Sequence, residues 1–273
     1  MDRIRRNERM AAMTKMLSDA PNKIHTLSHF CDLFGAAKST MSEDIDILRQ
    51  VVKSFGLGEL ETVTGAAGGV RYRPTMGKEQ AIACIQELCG TLSCKERVLP
   101  GGFLYFSDIL SMPDVVSRMG MILAEKYYQE EPDFVLTMET KGIPVALMTA
   151  QALGVPLVIA RRSSKVYEGS AVNINYVSGS TGRIETMSLS RRAVKENQRA
   201  LIVDDFLKGG GTAKGMVDLM HEFSVKVVGQ AFVMATAHPA KKRITGERAL
   251  MILEEMEDEE ITAKVRPADW LYE

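Results

Sequence analysis

The residues best suited to chemistry stand together in Leu201-Ile202-Val203-Asp204-Asp205-Phe206-Leu207-Lys208-Gly209-Gly210-Gly211-Thr212. The three leading apolar residues predict a buried parallel strand. Asp204 and Asp205 fall at its carboxyl end, where open α/β sheets bind ligands. The glycines let backbone N–H groups approach an anion closely. Met216, Val217, Leu219, Met220 and Phe223 predict a following helix, whose N-terminus favours negative charge. Two adjacent carboxylates would repel a bare phosphate. They suit sugar hydroxyls, met directly or through a metal ion and its waters. The pattern therefore asks for a ribose phosphate with its 5′-phosphate on residues 208–212. It is not a P-loop, because the GxxxxGK[ST] order is absent.

Two further segments belong to the same chemistry. Glu139-Thr140-Lys141-Gly142-Ile143-Pro144 lies between a predicted strand and a predicted helix, on the carboxyl edge that carries the acidic pair. A lysine, a glycine and a small hydroxyl suit a second phosphate there. Residues 161–192 are long and polar, carry Lys165, Arg183, Arg191 and Arg192, and have a Ser178-Gly179-Ser180-Thr181-Gly182 tip. A hairpin of that kind over a ligand site reads as a lid. Phe206, with Phe103 or Tyr105 from a preceding strand, either stacks on a ligand's base or belongs to the core.

These segments need a scaffold to hold them. Strands at 134–138, 155–160 and 227–235 alternate with helices at 113–128 and 143–153, which predicts a mostly parallel sheet flanked by helices. Ile82, Ile85, Leu88 and Leu92 put one apolar face on an earlier helix, read as a linker or dimerisation helix or as packing on this second domain. The acidic run at 254–260 is read as a solvated loop.

The first 74 residues differ. Met10, Met13 and Leu17, then Leu27, Phe30 and Phe34, then Met41, Ile45, Leu48, Val52 and Phe55 give three helices. Gly35 stops the second. Thr40 with Glu43 fits a capping box on the third. The very short connection between these two helices predicts helix-turn-helix. Strands at 60–64 and 70–73, with a Gly65-Ala66-Ala67-Gly68-Gly69 tip, add a wing. Lys38, Ser39, Thr40 and Ser42 would meet DNA base edges and phosphates from the third helix. Arg3, Arg5 and Arg6 before it, and Arg71 and Arg73 on one face of the wing, would contact phosphates. This stretch carries 11 Lys/Arg against 9 Asp/Glu, a net of +2.

The full 273 residues carry a net charge of −1, so nucleic-acid binding must come from a local patch. Domains are expected at 1–74 and 75–273. Cys31, Cys84, Cys89 and Cys94 have no zinc spacing and read as free thiols in a reducing cytosol. No apolar run approaches membrane-spanning length, and the charged N-terminus lacks a signal core, so a cytoplasmic protein is expected. No metal ligands stand out.

The 201–212 stretch resembles the 5-phosphoribosyl-1-pyrophosphate (PRPP) motif of type I phosphoribosyltransferases. Residues 139–144 resemble that family's pyrophosphate loop, and 161–192 match the position of its flexible loop. The order of motifs narrows the resemblance. The helix-turn-helix and its wing are followed by Leu99-Pro100-Gly101-Gly102, Thr140-Lys141-Gly142-Ile143-Pro144, Glu168-Gly169-Ser170, Asn175-Tyr176-Val177-Ser178-Gly179-Ser180 and Asp204-Asp205-Phe206. Together they resemble the pur operon regulators of Gram-positive bacteria up to about residue 236. That resemblance implies a winged-helix domain fused to a type I phosphoribosyltransferase fold. It also implies a dimeric regulator of purine genes, a repressor in this reading, with PRPP, accompanied by magnesium, as effector on Thr140, Lys141, Gly142 and residues 204–212. The rival is an active purine phosphoribosyltransferase. In 6-oxopurine enzymes of the family the third residue after the acidic pair is often an Asp that handles the purine proton. Here it is Lys208, which cannot accept a proton while charged. Guanosine polyphosphates, with phosphates at both ends of a ribose, are expected to share the PRPP site.

Overall fold

A computed structural model describes residues 4–65, 68–100, 103–163, 169–178, 182–257 and 262–273. Arg3, the wing tip at 66–67, Gly101, Gly102, Lys165, Glu168 and the hairpin tip at 179–181 lie outside these residues. The chain divides into two compact units, Met1–Gly77 with Gln151–Gly154, and Lys78–Ala150 with Val155–Glu273.

The first unit holds helices α1 (Arg6–Asp19), α2 (Leu27–Phe34) and α3 (Lys38–Ser54), then strands β1 (Glu59–Val63) and β2 (Gly69–Arg73). The Thr26 hydroxyl caps α2 by accepting from the His29 N–H, and Gly35, left-handed at φ +59°, ends it. The expected capping box on α3 does not form. Ala37 is the N-cap and Lys38 opens the helix, so Thr40 already lies inside the first turn. Met13, Leu17, Phe30, Met41, Ile45, Leu48, Leu60 and Val70 make the core. Phe55, expected in that core, lies past the helix end and is 71% exposed. The wing pairs antiparallel, with Leu60 opposite Tyr72 and Glu61 opposite Arg71. His25 adds a bridge to Val70, so the α1–α2 connection docks on the wing. Gly69 permits that approach, since a Cβ there would sit 2.1 Å from the His25 carbonyl oxygen.

Charge placement in this unit departs from expectation. Asp44, fully buried on α3, accepts from Arg6 Nε at 2.7 Å and from Arg9 Nε at 2.8 Å. Arg6 also meets Glu43 at 3.0 Å. Arg6 thus fastens α1 to α3 instead of forming a loose arm. Arg73 is only 6% exposed and pairs with Glu61 at 3.1 Å, and Arg71 Nε donates to the same carboxylate at 2.6 Å. The expectation that both wing arginines face phosphate is corrected. Glu61 draws them inward, because a buried guanidinium needs a carboxylate partner.

The second unit begins with α4 (Lys78–Leu92), a hairpin of β3 (Val98–Leu99) and β4 (Phe103–Leu104), and α5 (Pro113–Glu125). Then come β5 (Phe134–Met138), α6 (Ile143–Leu153), β6 (Leu157–Ala160), a hairpin of β7 (Ala171–Val177) and β8 (Ile184–Ser190), β9 (Arg199–Leu207), α7 (Gly211–Glu222) and β10 (Lys226–Thr236). Strands β11 (Glu247–Glu257) and β12 (Thr262–Pro267) follow. The main sheet runs β12-β11-β10-β9-β5-β6. All its pairings are parallel except β11–β12. Helix α4 packs on β11, β12 and the turn at Asp269–Leu271, with Lys78 Nζ donating to the Tyr272 carbonyl. It belongs to this unit's body, the packing reading of its apolar face. The acidic run is likewise not all loop: Glu254 stands in β11 and pairs across the sheet with Lys264 and Arg266. Among the described residues no helix is long and apolar enough to cross a membrane.

Candidate functional site

Strands β5 and β9 lie side by side and parallel, Leu136 opposite Ile202, so the turns that follow them open on one edge. Both strand interiors are buried, and apolar apart from Thr137 in β5, which fixes their positions. The acidic pair falls in the last residues of β9. Asp204 is 7% exposed and Asp205 half-buried. The Asp205 N–H donates back to Asp204 Oδ1 at 3.0 Å. Burial, then the neighbouring Asp205 charge, pushes the Asp204 carboxyl well above its ordinary range. Burial also raises Asp205, opposed by Lys141. Two adjacent carboxyls held in this way, at the open edge of the sheet, are acceptors suited to donors such as ribose hydroxyls.

Gly142 completes the contact between the two loops. A Cβ there would stand 2.1 Å from Asp204 Oδ1 and 2.6 Å from Thr137 Oγ1. Thr137 Oγ1 is buried without a hydrogen-bond partner. Thr140 and Lys141 are exposed at the mouth.

On the other side Lys208 is exposed, Gly210 is left-handed at φ +78°, and Gly211 opens α7 with Thr212 in its first turn. The loop after β10 braces this turn: the Arg243 N–H donates to the Gly209 carbonyl at 3.1 Å. Leu207 does not face the site. Its side chain is 2% exposed in a cluster with Ala213, Phe232, Ala235, Ile244 and Ala249, so only its backbone is available.

Phe206 is half-buried, and the ring that meets it is Phe106, with centroids 6.2 Å apart and tilted by 42°. Phe103 is 67% and Tyr105 44% exposed, so neither is core. Phe106 was legible from alternation, which puts residues 104 and 106 on the inner face. Arg97 forks onto both oxygens of Asp108, at 2.9 and 3.0 Å, and onto the Tyr105 carbonyl. That clamp fixes the β3–β4 hairpin, and no local sequence pattern announces it.

The β7–β8 hairpin is not an open lid over its described length. Tyr176, Met187 and Leu189 are buried against α7 in the main core. Gly215 on α7 accommodates Tyr176 at 3.0 Å from where a Cβ would be.

In the first unit Lys38, Ser39 and Ser42 are exposed and Thr40 is half-buried, all around the start of α3. Arg5 is exposed. Among the described residues no group of three or more His, Cys, Asp or Glu could hold a metal ion. Cys84 and Cys89 are buried, Cys31 is partly buried and Cys94 is exposed, all as free thiols.

Comparison with known proteins bears on both units. Residues 5–74 match the model of the bacterial purine repressor N-terminal domain, and 107–267 that of the phosphoribosyl transferase domain. The chain is 41% identical over 270 residues to the purine biosynthesis transcriptional repressor PurR of Bacillus subtilis, covering 98% of this chain and 94% of that protein. It is 40% identical to the purine biosynthesis transcriptional activator PurR of Lactococcus lactis, covering 91% and 92%. Adenine phosphoribosyltransferase from Giardia lamblia shares the fold of the second unit at TM-score 0.54 and 21% identity, over 66% of this chain and 99% of that one. A winged helix-turn-helix, a phosphoribosyltransferase-type sheet and identity along nearly the whole length place the chain in the family of purine biosynthesis transcriptional regulators.

Proposed function

We propose that this regulator binds double-stranded DNA at purine-gene promoters as a homodimer, as a repressor, and responds to PRPP as effector. The observation that supports the effector reading is the adjacent pair Asp204, buried, and Asp205, half-buried, at the end of β9 between the Thr140–Gly142 loop and the glycine turn before α7. PRPP has a ribose between a 5-phosphate and a pyrophosphate, and those groups fall in that order on Thr212, Asp204–Asp205 and Lys141. The site is read as non-catalytic because Lys208 occupies the place where a base would stand. The test is fluorescence anisotropy on purine-gene promoter DNA, titrated with and without PRPP. Occupancy is expected to shift with PRPP. No nucleotide is expected to form with PRPP, Mg²⁺ and any of adenine, guanine, hypoxanthine, xanthine, uracil or orotate. Unmoved occupancy, or steady turnover, returns the site to the purine phosphoribosyltransferase reading.

Recognition of DNA is assigned to Ser39, Thr40 and Ser42, with Lys38 and Arg5 on phosphates. Lys38→Ala is expected to lower the salt slope of binding by about 0.9, the value of one phosphate contact. Arg73→Ala should leave the slope unchanged, because that side chain is turned to Glu61. An unchanged slope for Lys38→Ala removes it from the interface.

Guanosine polyphosphates are proposed to compete with PRPP, their base on Phe206. Each ligand would shift the regulator by its differential affinity for the DNA-binding state. Competition calorimetry checks this, and independent binding of both ligands rules out a shared site.

A further inference from the structure

The loop between β10 and β11, residues 237–246, carries Lys241, Lys242 and Arg243 and no acidic residue. Its own contacts make it firm. The Thr236 hydroxyl donates to the His238 carbonyl at 2.6 Å. Lys242 Nζ donates to the Thr236 carbonyl at 2.7 Å and to the Thr236 hydroxyl oxygen at 3.1 Å. Ile244 is buried in the cluster that holds Leu207 and Ala213. Lys242 and Ile244 thus turn inward, and Lys241 and Arg243 between and before them are exposed. Among the described residues neither of these two side chains has an ion-pair or hydrogen-bond partner.

Arg243 stands against the glycine turn itself. Its N–H donates to the Gly209 carbonyl at 3.1 Å. A Cβ built on Gly210 would lie 3.2 Å from the Arg243 amide nitrogen and 3.7 Å from the Arg243 Cβ. The root of the arginine side chain is therefore on the flank of the turn, where a side chain of Gly210 would be. The turn and the start of α7 have backbone N–H groups for a first phosphate. A guanidinium rooted on the flank reaches oxygens beyond that phosphate. Its planar fork stays charged and matches phosphate geometry. Asp204 and Asp205 lie on the other side of the first phosphate, towards the ribose, and would repel further negative charge there.

We infer that Arg243, with Lys241, forms a subsite for a second phosphate joined to the one in the turn, so that the site prefers nucleoside 5′-diphosphates to 5′-monophosphates. The inference rests on the reading of residues 208–212 as a phosphate site. PRPP has a single phosphate on C5 and its pyrophosphate on C1, so this subsite contributes nothing to PRPP. The loop separates two classes of ligand that share a ribose and its first phosphate.

The experiment is calorimetry on the full chain with ribose 5-phosphate, PRPP, and the mono- and diphosphates of guanosine and adenosine. Wild-type protein is expected to bind the diphosphate of at least one nucleoside about fivefold to tenfold more tightly than its monophosphate, the worth of a charge-assisted hydrogen bond open to water. Lys241→Ala combined with Arg243→Ala should remove that preference and leave ribose 5-phosphate, PRPP and the monophosphates at their wild-type affinities. Only the backbone of Arg243 braces the turn, so the double variant keeps the brace. No preference for a diphosphate in wild type, or a preference retained in the variant, overturns the subsite alone. Equal weakening of every ligand in the variant also overturns it, because the two side chains would then support the turn itself. A wild-type chain that binds none of these ligands overturns the phosphate reading and this inference with it. If the double variant does not fold, Arg243→Gln and the wild-type comparison decide the matter by the same criteria.

Discussion

Asp204→Ala combined with Asp205→Ala is expected to abolish PRPP binding and leave DNA affinity at its wild-type value. Each carboxylate that accepts from a ribose hydroxyl contributes about 1.5–3 kcal/mol, the range for hydrogen bonds to charged groups, so losing both costs more than about 100-fold in affinity. The same double variant should make the second unit more stable at neutral pH. Both carboxyls have folded pKa values above the ordinary one, with burial as the main cause. The native state therefore holds protons that the unfolded chain has already released. Stability is fullest below the unfolded value, about 3.9 for Asp, and falls as pH rises towards the raised folded values. Removing the pair removes that loss, a gain of about 1–2 kcal/mol of the kind that relieved binding sites give. Calorimetry for PRPP and thermal unfolding across that pH window check both halves. Wild-type PRPP affinity in the double variant would overturn the site, and a wild-type pH slope would overturn the electrostatic account.

What the sequence made legible follows from how local each signal is. The strand–Asp–Asp–glycine–helix order is contiguous, so it announced β9, the glycine turn and α7, with the acidic pair near the end of the strand. The Thr140 loop was legible because parallel strands must place their turns on one edge. Gly35 and the heptad-like spacing of Met41, Ile45 and Leu48 likewise act within a few residues. The misses share the opposite character. Glu61 lies ten residues from Arg71, and across an antiparallel pair it faces that side chain, so alternation alone saw a basic wing where the fold has a neutralised one. Arg97–Asp108 and Tyr176–Glu185 are contacts across hairpins. The role of α4 depended on β11 and β12, nearly the whole length of the second unit away. Leu207 looked like part of a binding loop because its neighbours are, yet strand alternation turns it into the core.

The other large effect concerns Asp44, which no motif singled out. It sits among Met41, Ile45 and Leu48 on the buried stripe of α3 and is 0% exposed. Its two oxygens take Arg6 and Arg9 from the first turn of α1, and Arg9, itself 7% exposed, also donates to the Ile4 carbonyl. The pair joins the first helix to the one that carries Lys38, Ser39, Thr40 and Ser42. Removing one member of a buried ion pair leaves the other as an uncompensated charge, at a cost of about 3–5 kcal/mol. A unit of this size has a total stability of only about 4–12 kcal/mol. Asp44→Ala is therefore expected to unfold most or all of the first unit near physiological temperature and abolish DNA binding. The second unit keeps its own core, so PRPP binding and its thermal transition should persist. Asp44→Asn, which keeps a hydrogen-bond acceptor but not the charge, should fall between. Differential scanning calorimetry with PRPP calorimetry on the same samples separates the two units. An Asp44→Ala protein that melts with wild-type transitions and binds promoter DNA normally would show that α1 is held on α3 by its apolar contacts alone.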